Sequence, residues 1–208
     1  MKRRDFLKQT ATTAAGATAL AAGAAPAILL GDSKRSARNP IIGQGEYRYE
    51  CIHNWGQLPG FLTWQTTHGV TIDEHGFIYI KHMGYGDTPL DTVVVFDPHG
   101  RYVRSFGKEY HKGGHGIDVR KENGVQYLYL SDIENRQVVK TTLHGEVVWK
   151  RSYPKEPGVY QRLDQYRPTN VAFAPDGGFY VGDGYGSHYY TAAEMGRGYC
   201  QTGKKLSS

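Results

Sequence analysis

Cysteine is scarce in this 208-residue chain: there are two, Cys51 and Cys200. They are too few and too far apart for a cysteine-rich metal knuckle, and neither sits in a nucleophile signature. In an oxidising compartment they could pair or stay separate thiols. No run of strongly apolar residues is long enough for a stable membrane span, which needs about 20 of them. No glycine-rich phosphate loop, Ser-His-Asp order or paired-carboxylate spacing occurs. A cluster of one charge sign is also lacking. The net charge is +5, but Lys2, Arg3, Arg4 and Lys8 supply it at one end and Arg197, Lys204 and Lys205 at the other. Residues 28–190 are balanced, so no basic face for nucleic acid is expected.

What the chain has in quantity is glycine, 27 residues, and tyrosine, 16. Hydrophobic residues make up 39% and charged residues 22%, the balance of a folded domain. Many glycines and aromatics without long apolar helices point to short strands and tight turns.

The N-terminus reads as an address. Arg3 and Arg4, one intervening residue and then Phe6-Leu7-Lys8 match the twin-arginine pattern. An alanine-rich run from Ala11 to Leu30 follows, with Ala25-Pro26-Ala27 as a cleavage-like site. Residues 1–30 are therefore expected to form a signal helix handled by the twin-arginine translocase, giving a periplasmic or extracellular protein. Residues 31–45 read as a polar linker.

From residue 46 to 190 the sequence repeats. His68-Gly69-Val70, His115-Gly116-Ile117 and Thr169-Asn170-Val171 align, with spacings of 47 and 54 residues. Each is followed by a glycine turn and an alternating strand, Phe77–Ile80, Gln126–Leu130 and Phe179–Val181. In the first two units come a third strand (Thr92–Phe96, Gln137–Lys140) and an outer one. A four-stranded unit at a period near 40–50 residues is the signature of a propeller blade. A β-sandwich also has short strands but no repeated unit. The expected fold is all-β, a partial β-propeller of two and a half to three four-stranded blades.

The H-G-[VI] and F-D-x-x-G phrases resemble NHL repeats, whose propellers usually close with about six blades. Within that family the nearest likeness is to the lyase domain of the peptidylglycine α-amidating enzyme. Gly114–Ile117 resembles its first zinc-histidine strand, Arg167–Phe173 its P-T-D-V-A-V strand, and Phe179–Tyr185 its F-V-S-D-G-Y strand. The resemblance implies His115 as a zinc ligand, Tyr185 as a catalytic base, and calcium held by carbonyls near Thr67 and Ile117. His68 could join His115 in a metal pair, because imidazoles at inner-strand starts converge on a central channel. Two departures count against the lyase: Met83 stands where that family has arginine, and Asn170 where it has aspartate. The plainer alternatives are hydrogen-bonded strand-start histidines and a channel-filling tyrosine.

The expected function is an exported module binding a peptide, glycan or small molecule. The alternative is a zinc- and calcium-dependent carbon–nitrogen lyase. Residues 191–208 show no alternation and read as a non-propeller tail, as a truncated or frameshifted propeller would end. Copies of the chain could also close the ring. His75, His99 and His144 are expected on the surface beside turn glycines. Asp73, Asp97 and Asp118 are expected as turn or strand-end acceptors, and Trp55 and Trp64 as a cover for the first blade.

Overall fold

The protein is described by a computed structural model covering residues 39–155, 158–193 and 199–201. The expected signal segment lies outside these residues. Two units emerge, one ending at Cys51 and one beginning at Ile52.

In the first unit, β1 (Ile41–Gln44) and β2 (Tyr47–Glu50) form an antiparallel hairpin. Asn39 Nδ2 donates to Glu50 Oε1 at 2.9 Å. The expected boundary between residues 45 and 46 falls in the turn of this hairpin. Gly45, with φ of 59°, makes a turn there, so the polar-linker reading of residues 41–45 is corrected.

The second unit holds three four-stranded antiparallel meanders. Blade 1 is β3 (Thr67–Ile72), β4 (Ile78–His82), β5 (Val93–Phe96) and β6 (Tyr102–Phe106). Blade 2 is β7 (Gly114–Glu122), β8 (Val125–Asp132), β9 (Gln137–Thr142) and β10 (Val147–Arg151). Blade 3 is β11 (Asn170–Phe173), β12 (Phe179–Gly182), β13 (Tyr190–Ala193) and β14 (Tyr199–Gln201). The first strands lie side by side, β3 against β7 and β7 against β11, as inner strands of a propeller do.

Blade 3 is fuller than its sequence suggests. Past Tyr190 two strands complete its sheet where a tail is expected. The alternation there is carried by small residues: Thr191 and Ala193 are buried, while Tyr190 and Ala192 are not. Small side chains give no hydrophobic period, so the strand is hard to read from sequence.

The turns follow one recipe. Gly76, Gly100, Gly145 and Gly177 close hairpins with φ between 80° and 98°, a region that suits glycine. Asp73 Oδ1 accepts from the backbone N–H groups of His75 and Phe77, and Asp97 Oδ1 from those of His99 and Arg101. Both are the expected turn acceptors; His75 and His99 are exposed beside them, and His144 is exposed in the turn before Gly145, where its N–H donates to Thr142 Oγ1.

Cores lie between blades. Phe77, Tyr79, Val93 and Val95 of blade 1 pack on Ile117, Val119, Leu128 and Leu130 of blade 2. Tyr127, Tyr129 and Val138 on the other face of blade 2 pack on Val171, Phe173, Phe179 and Val181 of blade 3. The loop before each blade wedges aromatics into these seams: Tyr110 before blade 2, Tyr160 and Tyr166 before blade 3. On the free side of blade 1, Trp55 and Trp64 cover Phe96.

Buried polar groups tie the seams. Lys81 is fully buried and its Nζ donates to the Ser131 carbonyl at 2.9 Å. Burial pushes its pKa down to about 8, against the pull of Asp132 and Glu109. Glu122 and Lys140 form a buried ion pair at 2.6 Å, with the Tyr129 hydroxyl also donating to Glu122. Burial alone would raise the Glu122 carboxyl, but its bonds to Lys140 and Tyr129 outweigh that and hold it below its ordinary value.

Candidate functional site

The inner strands begin at one end of the arc, and this places the repeat-equivalent residues His68, His115 and Thr169 beside one another. Glycine makes the approach feasible. A methyl group on Gly116 would sit 2.3 Å from Asn170 Oδ1 and 2.6 Å from the Thr169 carbonyl oxygen. One on Gly69 would sit 2.9 Å from both the backbone N and Cγ2 of Ile117. The H-G dipeptide thus has a packing reason: glycine lets the next blade close in. The Gly116 N–H donates to the Thr169 carbonyl at 2.9 Å.

His115 Nδ1 lies 2.6 Å from the same carbonyl oxygen. A carbonyl only accepts, so Nδ1 carries the proton, and in the neutral ring Nε2 is left as the acceptor. That Nε2 is buried and has no hydrogen-bond partner. Burial holds the imidazole pKa below its ordinary value, helped by nearby His68 and Lys81 and opposed by the Thr169 carbonyl. The site therefore keeps a neutral histidine.

The other two sequence-predicted residues lie against it. His68 stacks on His115, ring centres 4.3 Å apart and planes 23° apart. Tyr185 meets His115 edge-on at 5.2 Å. Both are exposed, Tyr185 at 57%. A cleft of about 350 Å³ runs along His68, His115, Ile117, Asp118, Thr169 and Asn170.

Asp118 departs from its expected role. It lies within β7 opposite Tyr129, not at a turn or strand end. Burial pushes its carboxyl up to about 6, with no cation offsetting it. A protonated Asp118 can donate where a carboxylate only accepts.

Asp132 and Asp183 are residues that sequence reasoning missed. Asp132 ends the second strand of blade 2, Asp183 directly follows that of blade 3, and both are fully buried. Asp183 accepts from the N–H groups of Arg167 and Ser187 at 2.8 Å each, fixing the loop that carries Tyr185. Asp132 does the same for Asn135. The signal was their shared repeat position; blade 1 has His82 there.

Zinc would need three or more converging ligands. Among the described residues no group of three His, Cys, Asp or Glu could hold a metal ion. Stacked rings also aim their nitrogens side by side, not at one point. His115 alone has the form of a ligand, a fixed tautomer with a free Nε2, so the residues present do not fit a zinc centre in this arrangement.

No protein-family model and no curated protein matches the chain. Among solved structures it is similar to a protein of unknown function from Bacteroides caccae, at 14% identity and TM-score 0.45, over 65% of this chain and 48% of that one. It is also similar to virginiamycin B lyase from Staphylococcus aureus, at 10% identity and TM-score 0.41, over 64% of this chain and 42% of that one. The chain thus spans less than half the length of either. Its three sheets, meandering outward from adjacent inner strands, are those of a partial β-propeller.

Proposed function

We propose that this chain is an exported propeller module of the NHL type that binds a peptide, glycan or small molecule in the inner-strand cleft. The observation that supports this most is the buried, unpartnered Nε2 of His115 beneath two exposed rings. A buried acceptor left unpaired costs about 1–3 kcal/mol. A ligand N–H or O–H that displaces His68 or Tyr185 would recover it. The exposed rings give stacking faces for sugars or peptide side chains. Export rests on residues 1–30, outside the described residues. Screening the purified chain on peptide and glycan arrays tests the reading, with His115→Ala as control. Binding lost in that variant is expected; no ligand on either array, or binding that ignores the substitution, overturns it.

One observation favours a second reading, a metal-dependent lyase: the histidine and tyrosine named by the resemblance do lie in contact. In this chain His115 Nε2, with Nδ1 fixed by Thr169, would accept a proton or hydrogen bond, and Tyr185 would hold or accept a proton beside it. Stoichiometric zinc or calcium in the purified protein, with the zinc lost on His115→Ala, would move the conclusion to this reading.

A further inference from the structure

Asp118, Arg120 and Glu122 alternate along β7 and so share one face. Asp118 and Arg120 pair with Tyr129 and Tyr127 of β8, the two tyrosines that pack toward blade 3. β7 has a neighbouring blade on each side, so the partners of this face are on the page. Two of its three charges are matched. Glu122 pairs with Lys140 and accepts from the Tyr129 hydroxyl. Arg120 donates through Nη1 to the Gly178 carbonyl at 3.0 Å and lies over the Phe173 ring, 4.9 Å from its centre. Asp118 has no ion pair or hydrogen bond among the described residues. Burial is the one influence on its carboxyl, and neither Arg120 nor any other cation offsets it.

A half-buried carboxylate without a cation is costly. This one lines the cleft of about 350 Å³ with His68, His115, Thr169 and Asn170. The other free groups of the cleft are neutral. His115 Nε2 is an acceptor with no partner, and the Asn170 carboxamide, its Oδ1 close to Gly116, has no hydrogen bond among the described residues. Lys81, the cation that His115 feels, is fully buried and spent on the Ser131 carbonyl. The cleft therefore offers one unmatched negative charge and further acceptors, with no positive charge of its own.

We infer, on the reading of this cleft as the binding site, that its ligand is a cationic amine whose protonated nitrogen pairs with the Asp118 carboxylate. An ammonium group has three N–H donors and no acceptor. It supplies the charge that β7 leaves unmatched, and its remaining donors suit the Asn170 carboxamide oxygen or water. A hydroxyl or N–H elsewhere on the ligand is left for His115 Nε2. A neutral sugar or an acidic peptide would cover Asp118 without compensating its charge, which deepens the cost of burial. The charged nitrogen can belong to an amino sugar or to a lysine side chain, two sources with one chemistry.

Calorimetric titration of the full chain at pH 7.5 compares each amine with its acetylated, uncharged form. The pairs are glucosamine with N-acetylglucosamine, and an end-blocked glycyl-lysyl-glycine with the same peptide acetylated at lysine Nζ. One amine is expected to bind about tenfold or more tighter than its acetylated form, because a hydrogen bond to a charged group exceeds a neutral one. The pair that shows this identifies the source. Saturation with that amine should also shift the NMR signals of the His115 ring. Asp118→Asn, equal in shape, is expected to keep the wild-type circular dichroism and to bind both forms equally. Equal binding of both forms by the wild type, or an amine preference that survives Asp118→Asn, overturns the inference. If that binding is lost in His115→Ala, the cleft remains the binding site and only the ligand class falls. No response to either amine overturns the inference as well, and ligands from the peptide and glycan arrays that are lost in His115→Ala would then leave the binding site standing without it.

Discussion

His115 Nδ1 and the Thr169 carbonyl oxygen lie 2.6 Å apart across the seam between blades 2 and 3. One hydrogen bond thereby fixes both the tautomer of the site histidine and the meeting of two inner strands.

Removing that bond has a measurable cost. His115→Ala is expected to lower stability by about 1 kcal/mol, the net worth of an ordinary hydrogen bond. His115→Asn, which can donate to the same carbonyl, is expected to recover part of it. Urea unfolding of the three proteins checks this. In the wild type, NMR titration should find His115 changing charge at a pH below the ordinary histidine value.

Histidines set an acid limit on the fold. His82 is 1% exposed, and burial holds its pKa below the ordinary 6.5, as it does for His115. The unfolded chain then binds protons at a higher pH than the native one. This contribution to stability is full above about pH 6.5 and falls as the pH drops through that value toward the folded pKa. Melting temperature measured from pH 7.5 to 5 should fall; His82→Gln should flatten the slope.

Asp118 acts in the opposite sense. Its folded pKa is raised from 3.8 to about 6, so the native state holds the proton longer than the unfolded chain. Its contribution is fully present below pH 3.8 and is lost as the pH rises through 6. Asp118→Asn is therefore expected to stabilise the protein at pH 7.5, with the gain shrinking toward pH 4. Equal gains at both pH values would contradict this.

The Glu122–Lys140 pair is buried on both sides. Lys140→Met leaves a buried carboxylate without its cation and is expected to cost about 3 kcal/mol or more. The double variant Lys140→Met/Glu122→Gln should be milder than the sum of the singles. A double-mutant cycle reads the coupling directly.

Gly116→Ala places a methyl group 2.3 Å from Asn170 Oδ1 and 2.6 Å from a backbone oxygen. Overpacking of this kind costs about 1–3 kcal/mol. Gly124, where the added atom meets nothing within 4 Å, is the control for packing, though its positive φ of 84° adds backbone strain of its own. Calorimetry of the two alanine variants should show the greater loss of heat of unfolding for Gly116.

The blade period was legible because strand alternation and turn glycines recur at fixed offsets from His68, His115 and Thr169. The meeting of His68, His115 and Tyr185 was legible for the same reason: inner-strand starts share one end of a propeller. The aromatic wedges were not. Tyr110, Tyr160 and Tyr166 sit in loops of unequal length and share no offset. Nor was the burial of Lys81, a residue type that is almost always exposed. The last strands of blade 3 went unread because threonine and alanine fill their inward positions. Asp118 was misread because an aspartate in a strand interior looks, in sequence, like one beside a turn.

The pre-blade loops also define where this architecture can be cut and copied. Each wedge belongs to the sheet that follows it, so the transferable module starts near residues 52, 107 and 152, well ahead of the first strand. A chain lengthened by duplicating 107–151 would carry its own gasket and present the same pair of faces at its ends. One lengthened from Gly114 would bring a naked sheet. The propeller grows by sealed units, and the loop is the seal.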